Sequence, residues 1–397
     1  MDLARLLIRN DSKIVLVVVD GLGGMADEEH PTELEEASTP HLDRLAEQGV
    51  TGLLDPVGPG ITPGSGPGHL ALFGYDPLEH QLGRGALSAA GLGFDLRPGD
   101  VAARANLCTL DAEGNVSDRR AGRPSDEEAR RVVELLQREV RVPDVEVFFR
   151  HERQHRVLVV VRGEGLDPRV TDTDPQATGV PPVEARALDP AARKMADVVA
   201  RLQKEVGRVL GGETLVNGLL LRGFDSRRDL PAFEERYGLR AAAVAVYPMY
   251  RGIAHLLGMD VLGPPTDLAG QLDLLRKNWE PLDFFFVHHK DADSAGEDGD
   301  RSGKITAIER LDEAVPDLLA LEPDVIVVTG DHSTPSQMAA HSWHPVPLLL
   351  WGRRSGRDGV ERFGERWCLQ GGLGRRLSVE LMPIVLATAG RLAKYGA

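Results

Sequence analysis

Three short apolar runs of this chain end on aspartate. Ile14–Gly21 reads IVLVVVDG, Asp283–Asp293 reads DFFFVHHKDAD, and Val325–His332 reads VIVVTGDH. Carboxylates gathered at one sheet edge repel each other unless cations lie between them, which makes Asp20, Asp293 and Asp331 candidate metal ligands. Further donors stand close by in sequence: His332 beside Asp331, His341 in the segment HSWHPVP, and Glu297 four residues after Asp293. Oxygen-rich sites with one or two imidazoles favour manganese or magnesium, and zinc less often. Ser65 lies in the loop Pro63–His69, PGSGPGH, ahead of an expected helix. Flanking glycines let a backbone approach a phosphate, and a helix N-terminus favours negative charge. A serine hydroxyl alone is a poor nucleophile. Coordination changes that, as it lowers the pKa of bound water from about 15.7 to about 7. Each feature by itself has a plain reading as a turn or a cap; their conjunction points to phosphoryl chemistry on Ser65.

The elements that must carry these groups follow from hydropathy. Short β-branched and aromatic runs read as buried strands of a parallel sheet, where ligands bind outside the carboxyl ends. Thr39-Pro40 opens a helix that Gly49 stops. Residues 55–68 hold too much glycine and proline for regular structure, and apolar character resumes at His69–Phe73. From about residue 88 the texture changes. Strands are expected at Val101–Leu110, Val145–Phe149 and Val157–Val161, the last two as a hairpin through His151–His155. Helices follow the Ser125 capping box and cover Pro190–Leu210. The sheet resumes with Ala241–Tyr247 and the run Ile253–Met259, then a helix over Asp267–Asn278 and the strand Asp283–Val287. A helix over Lys304–Leu319, kinked at Pro316, precedes strands Val325–Thr329 and Val346–Trp351 and a last helix near Val379–Lys394. The expected fold is α/β, a mostly parallel sheet sandwiched by helices and interrupted by a smaller α+β domain. That places one discontinuous domain at 1–88 and 239–397 and the inserted one at 89–238.

The 397 residues suffice for two such cores, and the formal charge of −15 argues against nucleic acid or an anionic membrane as partner. No apolar run approaches the ~20 residues of a membrane span, and the start lacks a signal-peptide pattern. Cys108 and Cys368 stand outside any CxxC pair. They read as free buried thiols of a reducing cytoplasm.

Taken together, Asp20-Gly21, the Ser65 loop followed by HLALFGYDP, the run GRGALSAAGLGFDL, TGDHSTPS and HSWHPVP resemble a cofactor-independent phosphoglycerate mutase. The likeness is to its archaeal-type branch in the alkaline phosphatase superfamily and covers most of the chain. The resemblance implies an alkaline-phosphatase-like fold, phosphorylation of Ser65, and two divalent ions. One ion would be held by Asp20, Ser65, Asp331 and His332, the other by Asp293, His341 and the residue at 297. Here the chain departs from the usual D-x-x-x-H, since Glu297 stands where a histidine is expected. The segment VSDRRAGR resembles the part of the family that holds glycerate, which makes Arg119 and Arg123 substrate-binding candidates and Asp118 a proton carrier. His155, Arg156 and Arg251 are further candidates for contacts to the substrate.

The activity so implied is interconversion of 3-phosphoglycerate and 2-phosphoglycerate through a phosphoserine. Two other readings share the site: a metal-dependent phosphatase or kinase-like phosphotransferase acting on another small hydroxy acid, and a metal-binding scaffold without turnover.

Overall fold

A computed structural model of the chain describes residues 3–227 and 229–396. It divides into two units, Met1–Gln81 with Leu230–Ala397, and Leu82–Asp229. In chain order the strands are β1 (Ile14–Val19), β2 (Val50–Asp55), β3 (Val101–Leu110), β4 (Val116–Asp118), β5 (Glu146–Arg153), β6 (Arg156–Arg162) and β7 (Gly218–Ser226). After them come β8 (Ala241–Val244), β9 (Asp260–Val261), β10 (Phe284–His289), β11 (Val325–Thr329), β12 (Val346–Gly352) and β13 (Gly374–Leu377).

The first unit is built on an eight-stranded sheet in the order β13-β2-β12-β11-β1-β10-β8-β9. Only β12 runs against its neighbours; the remaining pairs are parallel. Every residue of β1, β10 and β11 is buried, which explains sequences that run apolar without alternation. Val18 pairs with His288 on one side and Thr329 on the other. The three strands therefore finish level, and the aspartates that follow them meet at one edge. Helices Pro40–Gln48, Leu268–Lys277 and Arg301–Leu319 cover one face through Leu42, Leu45, Leu275, Ile308 and Val315. On the other face Phe73, Phe233, Phe284 and Phe286 pack ring against ring.

In the second unit an antiparallel sheet runs β4-β3-β6-β5, with β7 also paired to β3. Both faces are covered, so alternate residues enter different cores. Ala103, Ala105, Val157 and Val159 pack under helices Asp126–Glu139 and Arg193–Leu210. Ala102, Leu158 and Val160 pack under helix Arg84–Gly91.

Several local expectations shift. The unit junctions fall at 81/82 and 229/230, where 88/89 and 238/239 were expected. Helix Arg84–Gly91 packs on the second sheet, while Phe233 of helix Phe233–Tyr237 packs on Phe73 and Phe284 of the first unit. Within 55–68, regular structure begins at Ser65, the first residue of helix Ser65–Leu72. The run Ile253–Met259 is no strand: Pro248 opens a helix to Leu256 that buries Tyr250, Ile253 and Ala254 at helical spacing. The last helix spans only Leu381–Thr388, and Gly390 at φ +69° turns the chain away. Both cysteines are buried and free. Among the described residues no helix is long and apolar enough to cross a membrane.

Candidate active site

At the carboxyl edge of β11, β1 and β10 two groups of donors converge, each with its atoms within 4.8 Å of one another: Asp20, Asp331 and His332, and Asp293, His332 and His341. In the first group His332 Nε2 lies 3.2 Å from Asp20 Oδ1, 3.3 Å from Asp331 Oδ2 and 3.1 Å from Ser65 Oγ. Asp20 Oδ1 and Asp331 Oδ2 are buried and accept no hydrogen bond of proper geometry. Buried carboxylate oxygens left in this condition are costly unless a cation completes them. That donor set fits a divalent ion.

In the second group His341 Nε2 lies 3.6 Å from Asp293 Oδ1 and 3.5 Å from Glu297 Oε1. The His341 and His332 rings stack at 3.7 Å. Glu297 is half-exposed, whereas Asp293 is buried. Although burial opposes it, the bonds to Glu297 and to the Pro63 carbonyl push His341 up to about 9, so these acids draw positive charge to this point. Lys290 does the same from the other side. Its ammonium is 2.9 Å from Asp20 Oδ2 and makes a short contact with Asp293 Oδ2.

Like charges in a small space separate the carboxyls. Burial pushes Asp20 up, yet contacts with His288, His332 and Lys290 outweigh it and hold the group well below its usual range. Burial and the neighbouring Asp20 charge raise Asp293. Tyr250 donates a short hydrogen bond to Asp20 Oδ2, and His288, stacked on the Tyr250 ring at 3.7 Å, brings Nε2 to 3.3 Å from the same oxygen.

Local sequence explains how Ser65 is held. Gly64 caps the helix, Pro67 sits in the first turn where its missing N–H costs nothing, and the Gly68 N–H donates to Gly64 O at 3.1 Å. A Cβ on Gly68 would stand 2.2 Å from the Asp331 carbonyl oxygen, so glycine alone lets the helix seat against the strand end. His69, one turn on from Ser65, reaches Ser65 O at 2.8 Å and Asp331 Oδ2 at 3.2 Å through Nδ1.

The remaining sequence candidates fall in two places. In the second unit Asp118 spends both oxygens on the Arg120 and Gly122 N–H groups, at 2.7 Å each, which holds it below its usual range. A carboxylate so engaged is a weak base. Ala121, Gly122 and Arg123 follow at φ +46°, +67° and +54°, a backbone that side chains other than glycine rarely adopt. Arg119 grips Asp174 bidentately at 2.9 and 2.8 Å, and Arg222 stands 3.4 Å from the same carboxylate. Burial together with Arg156, Arg120 and Arg123 pushes His155 down to about 4. The local field is thus strongly positive in a chain whose formal charge is −15. His155 Nδ1 and Arg222 Nε are buried without a hydrogen-bond partner. Arg251 lies in the first unit, where its guanidinium donates to the carbonyls of Ala245 and Leu262 at 3.2 and 2.8 Å. It is fixed as a strut between β8 and β9.

Sequence reasoning missed Lys290, His69, Tyr250, His288, Thr334 and the Arg222–Asp174 pair. Two had a signal: Lys290 stands three residues before Asp293, and His69 four after Ser65, on one helix face. For Tyr250 and Arg222 the sequence held none.

Fold and site together define a class: an α/β protein with two converging groups of carboxylate and imidazole donors and a helix-borne serine at the sheet's carboxyl edge. A family model described as 2,3-bisphosphoglycerate-independent phosphoglycerate mutase matches residues 46–215. A Thermus thermophilus protein named as a probable enzyme of that kind is 53% identical over 400 residues, spanning 100% of this chain and 98% of the relative. One from Thermotoga neapolitana is 48% identical over 99% and 98% of the two chains. Among solved structures, a cofactor-independent phosphoglycerate mutase from Thermoplasma acidophilum is 30% identical, with TM-score 0.71 over 95% of this chain and 100% of that one. A Pyrococcus horikoshii protein, also 30% identical, superposes with TM-score 0.84 over 98% and 100%. The chain belongs to the 2,3-bisphosphoglycerate-independent phosphoglycerate mutase family.

Proposed function

We propose that this chain interconverts 3-phosphoglycerate and 2-phosphoglycerate, the isomerase step of glycolysis and gluconeogenesis, with Ser65 as the transient phosphoryl carrier. The observation that carries the reading is the 3.1 Å contact of Ser65 Oγ with His332 Nε2, beside two buried carboxylate oxygens without partners. Asp20, Ser65, Asp331 and His332 would hold one divalent ion, manganese or magnesium by donor type, and Asp293, His341 and Glu297 the second. Bound there, such ions would lower the serine pKa and neutralise charge on the transferring group.

The chain's own residues account for the rest. Ser65 Oγ gives up its proton and bonds to phosphorus as the bond from phosphorus to the C3 oxygen breaks, and that oxygen takes up a proton. The C2 hydroxyl then gives up its proton and attacks the phosphoserine; the bond from phosphorus to Ser65 Oγ breaks, and the freed Oγ takes up a proton. The helix fixes Ser65 for in-line attack, and Lys290 brings a fixed positive charge to the site. Arg120, Arg123 and Arg156 would supply the positive field for the glycerate anion, with His155 held neutral among them. With its oxygens committed to a turn, Asp118 shapes that loop and is a poor proton carrier. Ser65→Ala is expected to abolish both turnover of 3-phosphoglycerate and acid-stable phosphoenzyme after manganese loading. Mutase activity retained in that variant refutes the assignment.

A further inference from the structure

Lys304 lies on helix Arg301–Leu319, outside both donor groups, and its side chain is fully buried. Burying an ammonium this completely is expensive, so what it grips matters. Nζ donates to Gly23 O and to Thr334 O, at 2.9 Å each, and stands 3.5 Å from Glu33 Oε2. Glu33 in turn accepts from the Ser336 N–H at 2.8 Å and from the Ser336 hydroxyl. The two carbonyls belong to different loops. Gly23 follows β1 and Asp20; Thr334 follows β11, Asp331 and His332. The loops also touch directly, Thr334 N donating to Gly23 O at 3.0 Å.

Thr334 is where this grip reaches the donors. Its hydroxyl donates to Asp293 Oδ1 at 2.7 Å and lies 3.0 Å from His332 Nδ1. With its proton given to Asp293, the hydroxyl accepts from Nδ1–H, which leaves the His332 Nε2 lone pair facing Asp20, Asp331 and Ser65. A displaced Thr334 would therefore disturb a donor of each group at once. Close packing leaves the loops little slack: a Cβ on Gly23 would meet Ser333 Oγ at 1.9 Å, and one on Gly296 would meet Thr334 O at 2.5 Å.

We propose that Lys304 is a positioning residue for both cation sites, its ammonium clamping the loop behind Asp20 to the loop behind His332. The inference rests on the metal reading above, and wild-type binding of two manganese ions, measured first, tests that reading separately. Lys304→Met alone would leave Glu33 charged and buried, a fold defect that says nothing of position. The test is therefore the double variant Glu33→Gln/Lys304→Met, neutral but without the clamp, set beside Glu33→Gln, which keeps Lys304 on both carbonyls. Manganese affinity of the full chain is measured by calorimetric titration without substrate. The double variant should bind manganese at least tenfold more weakly at both sites, and Glu33→Gln within threefold of wild type. Wild-type affinity in the double variant would show that Lys304 only balances Glu33, and would overturn the proposal. If the double variant does not fold, Glu33→Gln decides: a tenfold loss there places the effect in the charge pair and overturns it equally.

Discussion

Gly68→Ala tests the geometry of the site without touching a reacting group. The added Cβ would stand 2.2 Å from the carbonyl oxygen of Asp331, 3.0 Å from its carbonyl carbon and 3.1 Å from its Cβ. Comfortable carbon–oxygen contact needs roughly 3.3 Å, close to the separations at which non-bonded heavy atoms attract, so helix and strand end must part by about 1 Å. Neither side can yield alone, because one is a helical backbone and the other leads directly into His332. Ser65 stands three residues before Gly68, so its 3.1 Å contact with His332 opens by a similar amount. A misplacement of about 1 Å costs about 100-fold in rate, or about 2.7 kcal/mol of barrier. Overpacking should lower stability by about 1–3 kcal/mol as well. Initial rates over a range of 3-phosphoglycerate, at saturating manganese, should show kcat falling about 100-fold with KM little changed, since the substitution removes no charged or hydrogen-bonding side chain. Gly207→Ala is the control. It sits on helix Arg193–Leu210 with nothing within 4 Å of the new Cβ, and should keep full activity while gaining up to about 1 kcal/mol. A folded Gly68→Ala enzyme with kcat within threefold of wild type would falsify the argument.

Two further outcomes are expected. His155 is neutral in the folded chain, held to about 4, while an unfolded histidine titrates near 6.5. Its contribution is complete above pH about 6.5 and is lost as pH falls towards about 4, because the unfolded state binds the proton first; about 2 kcal/mol should go over that window. Hydrogen exchange of the β3 and β6 amides between pH 7 and 4.5 should show a shallower loss of protection in His155→Gln, and parallel curves in the two proteins would remove His155 as the cause. Glu297→Ala should weaken one manganese site by about tenfold or more and leave the other near wild type, read by calorimetric titration; two unchanged sites would mean that Glu297 serves only the surface.

How much of this was legible in the chain differs from residue to residue. The runs ending at Asp20, Asp293 and Asp331 announced themselves because wholly buried parallel strands need unbroken apolar sequence. The Ser125 capping box and the apolar run Val157–Val161 were equally local, and the structure places a helix at Asp126–Glu139 and a strand at Arg156–Arg162. Ser65 was marked by its glycines, yet its place on a helix was hidden, since PGSGPG reads as loop until Gly68 finds Asp331 behind it. Asp118 and Arg119 were chosen for the likeness of VSDRRAGR to the family's glycerate-holding segment. That Asp174 already occupies Arg119 depends on chain more than fifty residues away, whereas the turn that engages Asp118 lies within four residues of it.

Short-range pattern thus determined that buried strands would end on acids and that a glycine-flanked serine would stand ready nearby. Tertiary structure alone decided that β11, β1 and β10 are neighbours, for Ile14 pairs with Phe284 on one side and Val325 on the other. It also brought Lys290, Tyr250 and Lys304 to the same edge. The reason is physical: side-chain periodicity is set by the local backbone, whereas adjacency between parallel strands is set by which buried faces and level strand ends fit together once the whole sheet has formed.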